Sequence, residues 1–448
     1  MTTKIVVIGM GYVGIPCAAL LADVDGYSVT GLQRRSKRSG WKIDVLNSGN
    51  SPFKGKEPGL QELIARVVEK GTFRVTDDID VLRDADIILI DVQTPTDTQH
   101  MPLYKSLREV SENIGERIKQ GAMVVVESTV APGTTQNVVQ KIIENTSGMT
   151  AGEDFDLAFS YERVMPGKLI KNIVELPRVV GGVDKKSAEK ATKMYSNIVK
   201  GNIHTTDTLT AELSKTVENA YRDVNIAFAN EIALVCESLG VNVYEIREYV
   251  NELESRDMHI PGAGVGGHCL PKDTWLLRHG LYEYGSWNME PQMISLARRI
   301  NDHMPAHMAY LVENILSVKG ISIQNATITV LGAAYLENSD DTRNTPAAPL
   351  VASLMSKGAE VRIHDPYVKD WEFGPQEIEA DIEKSIENSD CLALVTKHAE
   401  YYDFDLEHVK SLMRTPAIVD GRNVFDQEAV EKAGFEYRCI GKRGAERA

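Results

Sequence analysis

The chain has little cysteine, no excess of positive charge and no long apolar run, and each shortage removes a class of protein. Its five cysteines, at 17, 236, 269, 391 and 439, are odd in number and widely scattered. That excludes a disulfide framework, fits no zinc-ligand spacing and agrees with a reducing compartment, so a cytoplasmic location is expected. With 49 basic against 64 acidic residues the net charge is −15. A nucleic-acid partner calls for the opposite sign, although small anions can still be held by backbone amides and a few basic side chains. No run approaches the roughly 18 apolar residues of a membrane span, and the N-terminus enters a strand-like Lys4-Ile-Val-Val-Ile8 with no signal peptide before it. Short repeats and low-complexity tracts are missing too; only the tail after Gly441 reads as disordered.

What is present is an ordinary globular composition, 43% apolar and 25% charged, in 448 residues, too many for one core. Buried-strand runs at 4–8, 28–32, 87–91, 123–127 and 155–160 alternate with helical stretches and predict a doubly wound α/β sheet. Runs at 327–331, 360–364, 391–395 and 417–420 predict a second. Between them, apolar residues recur at three- and four-residue steps from Asp207 to Leu239, one long helix, and again from Pro291 to Leu316, a second helix interrupted at Pro305. The expected domains are 1–206, 207–316 and 317–448.

The first strand runs into Gly9-Met-Gly11-Tyr12-Val13-Gly14 and then an alanine-rich helix, which is a dinucleotide fingerprint in its proper setting. Gly9 makes the tight turn, Gly11 admits the pyrophosphate and Gly14 lets helix and strand pack. The second strand should end in an acid that holds the ribose hydroxyls of NAD. Here Gln33 stands there, followed by Arg34, Arg35, Lys37 and Arg38, which read either as a site for the 2′-phosphate of NADP or as a solvated basic turn. Later strand ends carry Thr94-Pro-Thr96 and Ser128-Thr129, where ligands of such sheets bind. Thr129 reads equally as a nicotinamide contact and as a turn hydroxyl. Glu162 is either a catalytic carboxylate or a surface charge. Lys215 and Asn219, four apart on the long helix, share a face and either converge on a ligand or form an exposed pair.

Cys269 sits in the most glycine-rich window, with glycines at 262, 264, 266 and 267. Backbone without side chains lets a substrate come close, and the thiol is expected on a cleft floor. An ordinary thiol, with a pKa of about 8.5, needs a neighbouring cation or base to become a nucleophile. Lys272 and Asp273 are near in sequence. Packing is the competing reading of this cysteine.

The chain resembles the UDP-sugar 6-dehydrogenases, the family of the UDP-glucose and UDP-N-acetylhexosamine dehydrogenases, nearly end to end. The likeness rests on the fingerprint, Glu57-Pro-Gly-Leu60, Ser128-Thr-Val-x-Pro-Gly-Thr134, Ala211-Glu-Leu-Ser-Lys215 with Asn219, Gly264-Val-Gly-Gly-His-Cys269 with Asp273, Asp341-Thr-Arg343 and Asp420-Gly-Arg-Asn423. It implies an N-terminal NAD domain, a helical dimerisation core and a C-terminal domain that helps hold the UDP, in a homodimer or larger homo-oligomer. The implied reaction takes the C6 hydroxyl of a UDP-sugar to the carboxylate with two NAD and no metal. Cys269 would form a thiohemiacetal and then a thioester. Thr129, Glu162 and Asp273 would surround the hydrolytic water, and Lys215 and Asn219 would stabilise the oxyanion. Cofactor contacts are implied for Gly9, Gly11, Tyr12, Val13, Gly14, Gln33, Arg34, Thr94, Thr96, Ser128 and Thr129. Substrate contacts are implied for Glu162, Arg163, Lys168, Lys215 and Asn219, for Gly266, His268 and Arg343, and for Arg256 across a dimer interface.

Gly264-Val-Gly-Gly-His268 and Glu162-Arg163-x-x-Pro-Gly167 look like the N-acetylhexosamine branch rather than the glucose branch. Pro166 stands where the glucose branch has a second glutamate, and Leu336 where relatives usually have a lysine; with Gln33 these are the departures from the family pattern. The competing readings are a UDP-glucose enzyme, a two-electron dehydrogenase, which needs no cysteine nucleophile, and a non-catalytic nucleotide-sugar-binding protein.

Overall fold

A computed structural model describes residues 2–442 apart from 38, 54 and 288. Arg38 and the tail from residue 443 onward lie outside the described residues. The chain folds into two compact units, Met1–Glu218 with Trp275–Glu290, and Asn219–Thr274 with Pro291–Ala448.

The first unit is built on eight strands: β1 (Thr3–Ile8), β2 (Tyr27–Leu32), β3 (Phe73–Thr76), β4 (Ile87–Ile90), β5 (Met123–Val126), β6 (Asp156–Phe159), β7 (Arg178–Gly182) and β8 (Ile203–Asp207). Their order is β3-β2-β1-β4-β5-β6-β7-β8, and only β6 and β7 run antiparallel. The central strands are Val- and Ile-rich because helices cover both faces of a parallel sheet: Val7, Ile88, Val125 and Leu157 are fully buried. The edge strands β3 and β8, which the apolar pattern does not predict, carry exposed residues such as Arg74 and His204.

In the second unit the strands are β9 (Thr327–Leu331), β10 (Glu360–His364), β11 (Ile378–Glu379), β12 (Cys391–Leu394), β13 (Ala417–Asp420) and β14 (Glu436–Cys439). They run parallel in the order β11-β10-β9-β12-β13-β14, with Val330 beside both Ile363 and Ala393. In each sheet the first strand lies at the point where the strand order reverses, between β2 and β4 and between β10 and β12. Ligands of open α/β sheets bind beyond the strand ends at that point.

The two long helices are Thr208–Leu239 and Gln292–Val318. Asp207, the last residue of β8, caps the first by accepting the Thr210 amide at 2.8 Å. The interruption expected at Pro305 does not occur: the second helix runs through it. A proline there costs one backbone hydrogen bond, but its ring is buried and packs against the Gly264 backbone, where an added Cβ would lie 3.1 Å from Pro305 Cγ. Among the described residues no helix is long and apolar enough to cross a membrane.

Candidate active site

In the first unit the glycine fingerprint links β1 to the helix Gly14–Ala22. Gly9 has φ +107°, and a Cβ on it would lie 2.3 Å from Asp91 O; a Cβ on Gly14 would lie 2.0 Å from Gly9 O. Neither position can carry a side chain. Gly11 differs, since a Cβ there meets nothing within 4 Å. That open space above a backbone turn at a helix N-terminus fits a dinucleotide pyrophosphate. Tyr12 stacks on Phe53, with ring centroids 4.4 Å apart.

Two of the hydroxyls implied to contact the cofactor donate to backbone carbonyls near the strand ends. Thr94 Oγ1 donates to Thr129 O at 2.6 Å, and Ser128 Oγ donates to Val92 O at 2.7 Å. Thr96 pairs by its backbone with Pro102. The loop after Thr129 is fixed by Glu212, whose carboxylate accepts the Gly133 and Thr135 amides at 2.6 and 2.7 Å. Burial pushes that carboxyl up to about 7. Glu212 lies within the motif that carries Lys215, yet nothing in its sequence context separates it from a solvated helix residue.

Around Glu127, the residue after β5, lies a buried polar cluster that sequence reading missed. Glu127 accepts hydrogen bonds from Arg178, from Tyr195 OH at 2.8 Å and from Cys17 Sγ at 3.7 Å. Arg178 Nε also donates to Ser160 Oγ at 2.8 Å, and its guanidinium lies over the Tyr195 ring at 3.7 Å. Burial pushes the Cys17 thiol well up, so this cysteine is structural. These bonds tie down the strand ends from which Ser128-Thr129 and Tyr161-Glu162 emerge.

Lys215 Nζ donates to Glu162 O at 2.8 Å. The Glu162 carboxylate accepts the Val164 amide, and burial raises its pKa against the pull of Lys215. Arg163 donates to Glu218 at 2.7 Å, to Tyr161 OH at 2.9 Å and to Pro177 O, so its guanidinium orders the segment around Glu162. Glu57 accepts the Gly167 amide at 2.7 Å and clamps the turn that exposes Lys168.

In the second unit, Cys269 immediately precedes the helix Leu270–Tyr284. It is exposed, unlike the other four cysteines. One turn on, Asp273 is fully buried. Its Oδ2 accepts Asn219 Nδ2 at 2.5 Å and its Oδ1 lies 2.8 Å from Lys272 Nζ. The loop before Cys269 is stitched to the loop that follows β9. A Cβ on Gly266 would lie 2.4 Å from Tyr335 Cβ, Gly267 N donates to Arg343 O at 2.8 Å, and Asn344 Nδ2 donates to Gly267 O at 2.9 Å. Arg422 Nη2 donates to Gly264 O at 3.0 Å, while Asp420 accepts the Arg422 and Val424 amides at 2.8 and 2.7 Å. The Asp420-Gly-Arg-Asn423 motif is thus an anchor for the cysteine loop. Arg343 pairs with Asp341 through both Nε and Nη2. Burial, reinforced by Lys272 and Arg343, holds the His268 imidazole down at about 4. Arg256 is exposed, and its guanidinium bonds Ser255. Among the described residues no three His, Cys, Asp or Glu are grouped to hold a metal.

Residues 3–199 match the NAD binding domain, 209–303 the central domain and 329–427 the UDP binding domain of the UDP-glucose/GDP-mannose dehydrogenase family. A UDP-N-acetyl-D-mannosamine dehydrogenase of Pyrococcus horikoshii is 39% identical over 98% of this chain and 99% of its own length. A similar relative in Methanococcus aeolicus carries the same name and is 34% identical over 98% of this chain and 95% of its length. The crystal structure of an NDP-N-acetyl-D-galactosaminuronic acid dehydrogenase from Methanosarcina mazei superimposes with a TM-score of 0.90 at 40% identity, covering 99% of this chain and 96% of that one.

Proposed function

Since the chain belongs to the UDP-glucose/GDP-mannose dehydrogenase family, and so is an NAD-dependent oxidoreductase, we propose that it oxidises the C6 hydroxyl of a UDP-N-acetylhexosamine to the uronic acid. The observation that carries this reading is Asp273, buried one turn after an exposed Cys269 and held between Asn219 and Lys272. A two-electron dehydrogenase or a binding protein needs no cysteine nucleophile there.

The bound dinucleotide supplies the hydride acceptor for both oxidations. Between them the Cys269 thiolate adds to C6 of the aldehyde and forms a thiohemiacetal, whose oxyanion Lys215 and Asn219 stabilise. After the second oxidation C6 is a thioester. Water adds to it and the C–S bond breaks, with Asp273 taking the water's proton and Thr129 and Glu162 positioning the water. One alcohol, one water and two oxidised dinucleotides give one carboxylate, two reduced dinucleotides and three protons. Arg163 orders the segment carrying Glu162, while Lys168, Gly266, His268 and Arg343 contact the nucleotide sugar. The three segments 1–206, 207–316 and 317–448 carry cofactor binding, self-association with catalysis, and UDP binding.

Tyr221, Phe228 and Leu239 are exposed along the long helix, and Tyr249 on the next. Apolar surface of that extent supports a homodimer built on these helices, with Arg256 reaching the partner's site. The odd number and wide scatter of the five cysteines support a cytoplasmic location.

The test is the yield of reduced cofactor with UDP-N-acetylmannosamine, UDP-N-acetylgalactosamine, UDP-N-acetylglucosamine and UDP-glucose. Two reduced cofactors per acetylated sugar, lost in Cys269→Ala, are expected. A yield of one supports a two-electron enzyme, and turnover of UDP-glucose alone moves the chain to the other branch.

A further inference from the structure

The end of β2 lacks the group that reads an unphosphorylated ribose. A carboxylate there accepts the ribose hydroxyls and repels a 2′-phosphate, whereas an arginine accommodates the phosphate. Here the position holds Gln33, and its side chain is turned to the protein. Gln33 Oε1 accepts the Met10 amide at 3.1 Å, while Nε2 donates to Ser39 Oγ at 3.0 Å and to Arg34 O at 3.2 Å. Lys42 Nζ donates to Met10 O at 2.9 Å. The N–H and the C=O of one fingerprint residue are therefore both held from the segment after β2.

That segment is basic and tightly turned. Ser36 Oγ and Ser39 Oγ lie 2.9 Å apart, and a Cβ on Gly40 would lie 2.8 Å from Ser36 O. Arg35 is engaged by Asp77 at 2.9 Å and Asp44 at 3.8 Å. Arg34, at the first position beyond Gln33, is 69% exposed and meets Glu109 at 3.7 Å. Among the described residues Asp44, Asp77 and Glu109 each face an arginine, and the position of the ribose carboxylate is taken by Gln33.

We infer that this chain binds NADP as well as NAD, with Arg34 and the Ser36 and Ser39 hydroxyls receiving the 2′-phosphate and Gln33 positioning the fingerprint instead of holding the ribose. The inference rests on the dinucleotide site but not on the sugar chemistry, so binding alone tests it.

Dissociation constants for NADH and NADPH are measured by fluorescence titration of the full chain without sugar, at low and moderate salt. The expected NADPH constant lies within about tenfold of the NADH constant, a difference below about 1.4 kcal/mol. Salt should weaken NADPH more, because the 2′-phosphate adds up to about two negative charges. Gln33→Glu keeps an acceptor for Met10 and adds one negative charge, and it should raise the NADPH/NADH ratio at least tenfold. Arg34→Ala should raise the same ratio. NADPH binding more than tenfold weaker than NADH in the wild type overturns the inference, as does an Arg34→Ala variant that weakens both equally. Failure of both dinucleotides to bind would instead remove the cofactor site itself.

Discussion

The first six strands of the first sheet follow the same order as the six of the second, and the two sheets put the loop after their first strand to different uses. After β1, a Cβ on Gly11 would meet nothing within 4 Å among the described residues, and the turn is held from outside by Gln33, Lys42 and the Tyr12–Phe53 stack. After β9 the position that corresponds to Gly11 is Ala334, which is fully buried and donates its amide to Asp365 Oδ2 at 3.0 Å; Gly332 corresponds to Gly9, and both are closed in. The residues beyond Ala334 reach through Tyr335, Arg343 and Asn344 to the backbone that precedes Cys269. One switch point leaves space beside its turn, while the other carries a loop that supports the backbone before Cys269. A shared fold therefore says little about function until its loops are described.

The strongest way to break this comparison is to remove what the second support holds. Cys269→Ala should lower acid formation by at least about a thousandfold, the scale on which lost nucleophiles act, measured as uronic acid by mass spectrometry. Cofactor titration of the same variant should still saturate. Loss of binding with the thiol would mean that the two loops are not separate in purpose.

Glycines sharpen the contrast. Gly14→Ala forces a Cβ onto Gly9 O and should cost about 1–3 kcal/mol or more of stability. Gly11→Ala should leave the melting temperature of the free protein in place and weaken NAD binding at least about tenfold. Equal melting losses in the two variants would show that the Gly11 space is not a ligand's. In the second unit Gly266→Ala meets Tyr335 and should cost about 1–3 kcal/mol, part of it recovered in the double variant with Tyr335→Ala. Simple additivity of the two changes in urea denaturation would argue against the stitched loop.

A smaller effect is expected from Asn344→Ala, which removes one hydrogen bond to Gly267 O and about 1 kcal/mol with it. Faster iodoacetamide labelling of Cys269 in that variant would report the loosened loop; an unchanged rate would exclude a supporting role for Asn344. The smallest effect is one of pH. His268 is lowered from 6.5 to about 4 by burial and then by Lys272 and Arg343. As pH falls through 6.5 the unfolded chain takes up this proton first, so the residue contributes stability above that pH that is lost progressively toward pH 4. An NMR titration midpoint for His268 below about 5 is expected; one near its ordinary value would mean an exposed, solvated ring.

The buried strands of both sheets were legible because an all-apolar run bounded by turns has few other uses. The fingerprint was legible because strand, glycines and helix agree. Edge strands such as β3 and β8 were not, since half of their residues face solvent and carry no apolar signal. Pro305 misled for a related reason: the penalty for proline is local, and the packing of its ring on Gly264 is not. Cys269 drew notice through its glycine-rich window and, with Asp273, through the family motif, but Glu212, Glu127 and Arg178 did not. An ionisable residue read alone in sequence resembles surface, and only burial with partners far along the chain gives it a role.

The sequence by itself determined the α/β class, the two sheets with their long helices, the dinucleotide turn and the family, because those depend on local period, glycine placement and the order of motifs. Only the tertiary structure decided that Gln33 latches the fingerprint, that Asp420-Gly-Arg-Asn423 anchors the cysteine loop and that Cys269 alone among the cysteines is exposed. Those properties depend on which distant residue supplies a hydrogen-bond partner or excludes water, and no spacing along the chain encodes that.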